Sequence, residues 1–249
     1  MSGCVAFIPA RSGSKRVPDK NILRLNGHPL MAYTIAAALD SNVFDAVVVA
    51  TDSEKYAEIA RHYGAEVPFL RPAAESGDKS PDIAWVEMAL DQLEAAGRNF
   101  ESFSILRPTS PFRLPATIQR AWKEFSEHGH ADSLRAVEKC SQHPGKMWVI
   151  RGGVMHPLMP LSPEEQPWHS SQYASLPEVY VQNASLEIAY TQMVRRTRSI
   201  AGNIVLPFLT EGMEGFDINH PEDWMLAESY LSQGSAELPG ISKTPYPES

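Results

Sequence analysis

The chain opens on a short apolar run, Val5 to Pro9, and a second unbroken run, Ala46 to Ala50, follows it. Apolar runs of that length, without polar alternation, are what strands buried on both faces of a parallel sheet look like. Between them Leu30, Met31, Ile35, Ala38 and Leu39 recur at helical spacing, which predicts a helix starting near His28-Pro29 with these residues on one face. Thr51-Asp52-Ser53 ends the second strand and caps a helix carrying Tyr56, Ile59, Ala60 and Tyr63, which stops at Gly64. Glu66 to Phe69 reads as extended, and a helix from about Pro81 places Ile83, Val86, Leu90 and Leu93 together before Gly97. Ser102 to Leu106 predicts a fourth strand, with Ile118, Ala121, Trp122 and Phe125 marking the helix after it. Strand and helix alternate, so the fold expected is α/β on a mainly parallel, doubly wound sheet.

The rhythm changes after that. From Lys146 to Tyr190 there are prolines, a Gly152-Gly153 turn and short extended pieces such as Glu178 to Val181, without a long helical period. A β-rich insertion or dimerisation arm is expected over about 146–190. Asn203 to Leu206 returns to the main sheet, and Pro221 to Leu231 reads as a closing helix. The main domain is therefore expected over 1–231. The segment 232–249, rich in Pro, Gly and Ser, is expected to be a disordered tail.

The loop after the first strand changes the picture from fold to function. Ala10-Arg11-Ser12-Gly13-Ser14-Lys15-Arg16-Val17-Pro18-Asp19-Lys20-Asn21 gathers four cations, a glycine and two serines. Small residues let backbone N–H groups face a polyphosphate while Arg and Lys close from the sides. A solvated basic loop is the plain alternative, but ligands of open α/β sheets bind at the carboxyl ends of strands, where this loop falls. Neither G-x-x-x-x-G-K-[ST] nor G-x-G-x-x-G occurs, which removes the main support for a P-loop NTPase or a dinucleotide-binding enzyme.

Composition then narrows the partners. A net charge of −8 over 249 residues argues against nucleic acid, whose backbone needs a broad positive surface. Apolar content of 43% is ordinary for a globular chain. Cys4 and Cys140 form neither a metal pair nor a disulfide framework, and the histidines show no paired ligand spacing for zinc. No run of eighteen apolar residues and no leader-like N-terminus occurs, so no membrane association is expected and a soluble, cytoplasmic protein is.

Five blocks carry a resemblance: Ile8-Pro9-Ala10-Arg11-Ser12-Gly13-Ser14-Lys15-Arg16 with Lys20-Asn21; Leu70-Arg71-Pro72 with Gly77-Asp78; Arg107-Pro108-Thr109-Ser110-Pro111-Phe112-Arg113; His143-Pro144-Gly145-Lys146; and Phe216-Asp217-Ile218-Asn219. In this order the chain resembles the acylneuraminate cytidylyltransferases, or CMP-sialic acid synthetases. The resemblance implies a Rossmann-like nucleotidyltransferase fold, a homodimer, and transfer of CMP from CTP to the anomeric hydroxyl of a nine-carbon 2-keto sugar acid, with Mg²⁺ and release of pyrophosphate. It implies that Arg11, Lys15 and Lys20 hold phosphates and serve catalysis with Asp217, and that Ala10, Arg11, Ser14, Asn21, Arg71, Asp78, Ser80 and Thr109 surround the nucleotide. Arg107, His143, Lys146 and Asn183 would take the acceptor, and Asp217 and Asn219 the metal.

Several positions keep a second reading. Arg71 before a proline is also an ordinary surface arginine, and Ser80-Pro81 an ordinary helix start. Many relatives carry Asp where this chain has Asn219; its carbonyl can still coordinate, yet Asn219 before His220-Pro221-Glu222-Asp223 is equally a helix N-cap. Arg195, Arg196 and Arg198 read as a solvated or dimer-facing cluster. On the acceptor side Arg107 replaces a common Gln, while Trp168 and Val181 stand where arginines are expected, so Arg107 is the candidate bidentate partner of the acid. The sugar acid could be N-acetylneuraminate, legionaminate or pseudaminate. The alternatives are a 3-deoxy-manno-octulosonate enzyme, another anionic acceptor, or a homologue that binds nucleotide without turnover.

Overall fold

A computed structural model of the chain describes residues 3–72, 77, 80–160 and 162–247. It contains strands β1 (Cys4–Pro9), β2 (Arg24–Leu25), β3 (His28–Pro29), β4 (Ala46–Ala50), β5 (Ser102–Ile105), β6 (Ser133–Lys139), β7 (Trp148–Arg151), β8 (Val154–Pro157), β9 (Tyr180–Tyr190) and β10 (Val205–Leu209). The helices are α1 (Leu30–Asp40), α2 (Glu54–His62), α3 (Asp82–Ala95), α4 (Pro115–Glu127), α5 (Thr191–Thr197) and α6 (Pro221–Ser232). Six strands form the main sheet in the order β10-β6-β9-β5-β1-β4. Strand β1 pairs in parallel with β4 and β5, and β9 runs antiparallel to β5.

The unbroken apolar runs have the expected cause. Ala6 and Ile8 of β1 pack with Val47, Val49, Met31, Ile35, Ile59 and Phe125, whereas Val5 and Phe7 pack with Trp85, Leu90 and Leu93 on the other face. A strand covered on both sides has no polar face to alternate with. Phe7 is fully buried between Trp85 and Phe103, both rings 6.0 Å away. Because β1, β4 and β5 are parallel, their carboxyl ends share one edge, and the loops that leave it begin at Ala10, Thr51 and Leu106.

Four expectations differ from the structure. Glu66 to Phe69 forms no strand; Glu66 makes a single bridge to Val48. Leu39, assigned to the inner face of α1, is 40% exposed, in the last turn of the helix. The return to the main sheet is Val205–Leu209, slightly beyond Asn203 to Leu206. Residues 233–247 have no regular helix or strand but are packed: Ile241 and Tyr246 lie against the core, the Tyr246 carbonyl accepts from Arg24 at 2.5 Å, and its N–H donates to Tyr63 Oη at 3.1 Å. Polar composition hid these few apolar anchors.

The chain divides into two compact units, Met1–Ala136 with Asn183–Ser249, and Val137–Gln182. The smaller unit therefore starts and ends earlier than 146–190, since most of β9 belongs to the main sheet. It holds the hairpin β7–β8, in which Ile150 faces Met155 and Arg151 faces Val154. Gly152 and Gly153 both have positive φ (57° and 78°), the conformation a two-residue hairpin turn demands.

Candidate active site

A cleft of about 400 Å³ opens in the larger unit, where the loops leaving β1 and β5 meet. Its described lining holds six cations, Arg11, Lys15, Arg16, Lys20, Arg71 and Arg107, against two carboxylates, Asp82 and Asp217. That imbalance, in a chain of net charge −8, fits a polyanionic ligand.

The loop after β1 is irregular and braced from outside. Ser12 donates its N–H and hydroxyl to the Asp52 carboxylate (2.8 and 3.2 Å), the Asn21 amide donates to the Arg11 carbonyl (3.1 Å), and Tyr56 Oη donates to Asp19 (2.8 Å). Asp19 has φ 51°, and this left-handed residue turns the chain into the short 3₁₀ segment Lys20–Ile22. Ser14 lines the cleft, while Ala10 is fully buried and donates to the Ala50 carbonyl. Burial lowers the Lys20 pKa, with Arg16 and Arg11 adding to the fall and Asp217 and Asp223 opposing it. Its ammonium donates to the Ile218 carbonyl at 2.5 Å.

The neighbouring blocks converge on the same cleft. Arg71 is 7% exposed, with its guanidinium 5.1 Å from the centre of the Trp85 ring. Ser80 and Thr109 line the cleft; Asp78 lies outside the described residues. The Thr109 carbonyl accepts from Ile218 N–H at 2.8 Å and so ties the 107–113 loop to the 216–219 loop. Phe112 and Phe216 stack at 5.4 Å, and Ile218 is buried with Leu25, Leu30 and Ala227.

At the far side Asp217 and Asn219 touch. The Asn219 amide donates to Asp217 Oδ2 at 2.5 Å, while Asp217 Oδ1 is buried with no hydrogen-bond partner among the described residues. Asn219 is not the helix cap. His220 stands at the N-cap of α6, and Asp223 reaches back to accept from the N–H groups of Asn219 and His220 (2.8 and 2.7 Å).

The acceptor candidates fall in both units. Arg107 lines the cleft with its Nη2 held by Asp82 (2.5 Å) and Glu187 (3.4 Å). Burial works against its charge, but these carboxylates outweigh it and raise its pKa. Asn183 donates to Thr210 Oγ1 at 2.9 Å. His143 and Lys146 belong to the smaller unit and serve its own loops: the His143 ring accepts from Gly145 N–H and bonds the Pro177 carbonyl, and the Lys146 ammonium donates to the carbonyls of His169 and Ser171. Asp52, Asp19, Tyr56 and Asp82, which brace these residues, had no signal in sequence spacing. Only their position after a strand or at a helix start could have suggested them.

An α/β sheet whose strand ends cradle a cationic, acid-tipped cleft defines a nucleotide-handling enzyme. The chain belongs to the cytidylyltransferase family, whose family model matches residues 5–142, and it is a CTP-dependent nucleotidyltransferase. It is 35% identical over 237 residues to the CMP-N,N'-diacetyllegionaminic acid synthase of Legionella pneumophila, covering 94% of this chain and 98% of that one. It is also 35% identical over 223 residues to the N-acylneuraminate cytidylyltransferase of Escherichia coli, covering 90% of this chain; this chain spans about half (51%) of that relative's length. A solved CMP:2-keto-3-deoxy-manno-octonic acid synthetase complexed with CTP superposes with a TM-score of 0.67 over 94% of this chain and all of that one, at 14% identity, which supports the fold. No described helix is long and apolar enough to cross a membrane.

Proposed function

We propose that this enzyme transfers CMP from CTP to the anomeric hydroxyl of a nine-carbon 2-keto sugar acid, releasing pyrophosphate, as a cytoplasmic homodimer aided by Mg²⁺. The observation that carries this reading is the pairing of six cleft cations with a buried, unpartnered Asp217 oxygen at the strand ends. The names of the Legionella and Escherichia relatives support a nonulosonate as the acceptor.

In nucleotidyl transfer the acceptor oxygen attacks the α-phosphorus opposite the departing pyrophosphate, and the protein's work is placement and charge neutralisation. Arg11, Lys15 and Lys20 bind the triphosphate and offset the charge that gathers on pyrophosphate. Ala10, Ser14, Asn21, Arg71, Ser80 and Thr109 serve the nucleotide, with Asn21 acting as the brace of the Arg11 backbone, and the family resemblance assigns Asp78 to it as well. Arg107 and Asn183 stand on the acceptor side, and His143 and Lys146 shape the smaller unit. Asp217 Oδ1 fits a divalent cation, because a buried carboxylate oxygen without a donor is costly unless something positive meets it. Mg²⁺ held there by Asp217, with Asn219 aiming the carboxylate, would stabilise negative charge on the phosphates.

The dimer reading rests on the smaller unit, where Ile150, Val154 and Met155 of the hairpin are 72%, 58% and 53% exposed. A cluster of that kind marks an interaction surface.

The test is pyrophosphate release with Mg²⁺ across the four ribonucleoside triphosphates and a panel of eight- and nine-carbon 2-keto sugar acids. CTP with a nine-carbon acid should give the fastest release. Equal rates with ATP or GTP, or turnover confined to the eight-carbon acid, would overturn the assignment.

A further inference from the structure

We infer that Asp82, with Glu187 behind it, is a positioning residue that aims Arg107 to grip the carboxylate of the acceptor. The inference rests on the sugar-acid reading above and adds how this chain recognises the acid.

Both carboxylates engage a single nitrogen of Arg107. Asp82 Oδ2 lies 2.5 Å from Nη2 and Glu187 Oε1 3.4 Å from the same atom. Among the described residues none bonds Nε or Nη1, and the side chain lines the cleft at 30% exposure. Arginine's two-point edges, Nε with Nη2 and Nη1 with Nη2, both include the held nitrogen, so what stays open among the described residues is the Nε N–H and the Nη1 hydrogens. The hold on Nη2 therefore leaves Nη1 to meet a carboxylate with a single charge-assisted hydrogen bond while stopping the side chain from swinging.

The two anchors are unequal. Glu187 also faces Arg135, 3.0 Å from its Oε2, so its pull on Arg107 is shared and long. Asp82 is the main anchor, and it is itself fixed by accepting from Trp85 Nε1 at 2.8 Å on a ring that is 1% exposed. The backbone is pinned as well: both terminal nitrogens of fully buried Arg113 lie 3.3 Å from the Arg107 carbonyl. Asp82, Glu187, Arg107 and Arg135 form a charge-balanced quartet, so recognition of the acid comes from the aimed Nη1 and not from surplus charge at that wall.

The test is steady-state kinetics of Asp82→Asn and Arg107→Lys with CTP and the best acceptor of the wild type, alongside that acceptor's methyl ester. Asp82→Asn keeps an acceptor for Trp85 but loses the ion pair; it should raise the acceptor KM about tenfold, with kcat and the CTP KM within about twofold. Arg107→Lys, whose one nitrogen cannot be held by Asp82 and reach the acid at once, should do the same. Esterification should penalise the wild type about tenfold and either variant by less than about threefold, since the carboxylate contact is already lost. An unchanged acceptor KM in Asp82→Asn, or an ester penalty equal in variant and wild type, would overturn the inference while leaving the CMP-transfer reading intact. Absence of wild-type turnover with every acid would sink that reading instead.

Discussion

At the scale of the residue, the proposed metal site turns on Asp217 and Asn219. One carboxylate oxygen is occupied by the Asn219 amide and the other is buried without a partner. Asn219→Asp would set two carboxylates against each other, costly without a cation and favourable with one. The variant should melt below the wild type in a chelator and gain more stability from Mg²⁺; a thermal shift with and without the ion checks this, and equal shifts would contradict it. Asp82 gives a pH dependence. Burial raises its pKa, but Arg107, the Trp85 N–H and Arg71 outweigh that and leave it lowered. A lowered carboxylate contributes stability that is complete above the unfolded value, about pH 4, and disappears as pH falls through the folded one. Acid titration of unfolding should therefore be shallower below about pH 4 for Asp82→Asn than for the wild type. The cations Arg11, Lys15 and Lys20 were legible in sequence because their block stands after a strand, and Arg71 only through the family resemblance. Asp82 and the Asn219 amide bond were not, because spacing does not reveal which polar atoms meet.

At the scale of the element, α6 fixes the 216–219 loop. Asp223 accepts from two backbone N–H groups just ahead of the helix, and Ala227 buries against Ile218. Asp223→Ala should cost roughly 0.5–2 kcal/mol, the range for a lost cap, and raise the Mg²⁺ needed for turnover. Chemical denaturation and a metal titration would read these separately; an unchanged Mg²⁺ requirement would free the loop from the helix. Strands β1, β4 and β5 were plain in the sequence because burial on both faces removes every polar residue. Strand β9 was obscured, since its first residues are exposed in the smaller unit and only Ser185 to Ala189 are buried in the sheet. Arg113, buried with its Nη2 on Thr34 and the Arg107 carbonyl, shows the same limit. Burial alone lowers its pKa to about 9, so it stays charged at neutral pH, and nothing in its neighbourhood of the chain announces a buried cation.

At the scale of the molecule, alternating strands and helices give the doubly wound sheet and its strand ends give the cleft. The smaller unit adds the apolar hairpin. If the hairpin joins two copies, Ile150→Asp with Met155→Asp should halve the mass in solution while leaving CTP affinity within about twofold, which light scattering and calorimetry would read. A dimer that survives the double substitution would place the contact elsewhere. The sequence showed the hairpin through Gly152-Gly153 but not the packed course of 233–247, where Ile241 and Tyr246 act among polar neighbours. The most direct test of the account is the ³¹P spectrum of enzyme, CTP, Mg²⁺ and a nine-carbon 2-keto sugar acid. A phosphodiester signal should grow in step with pyrophosphate only when acid and CTP are both present. Pyrophosphate formed without the acid, or no phosphodiester with it, would contradict CMP transfer.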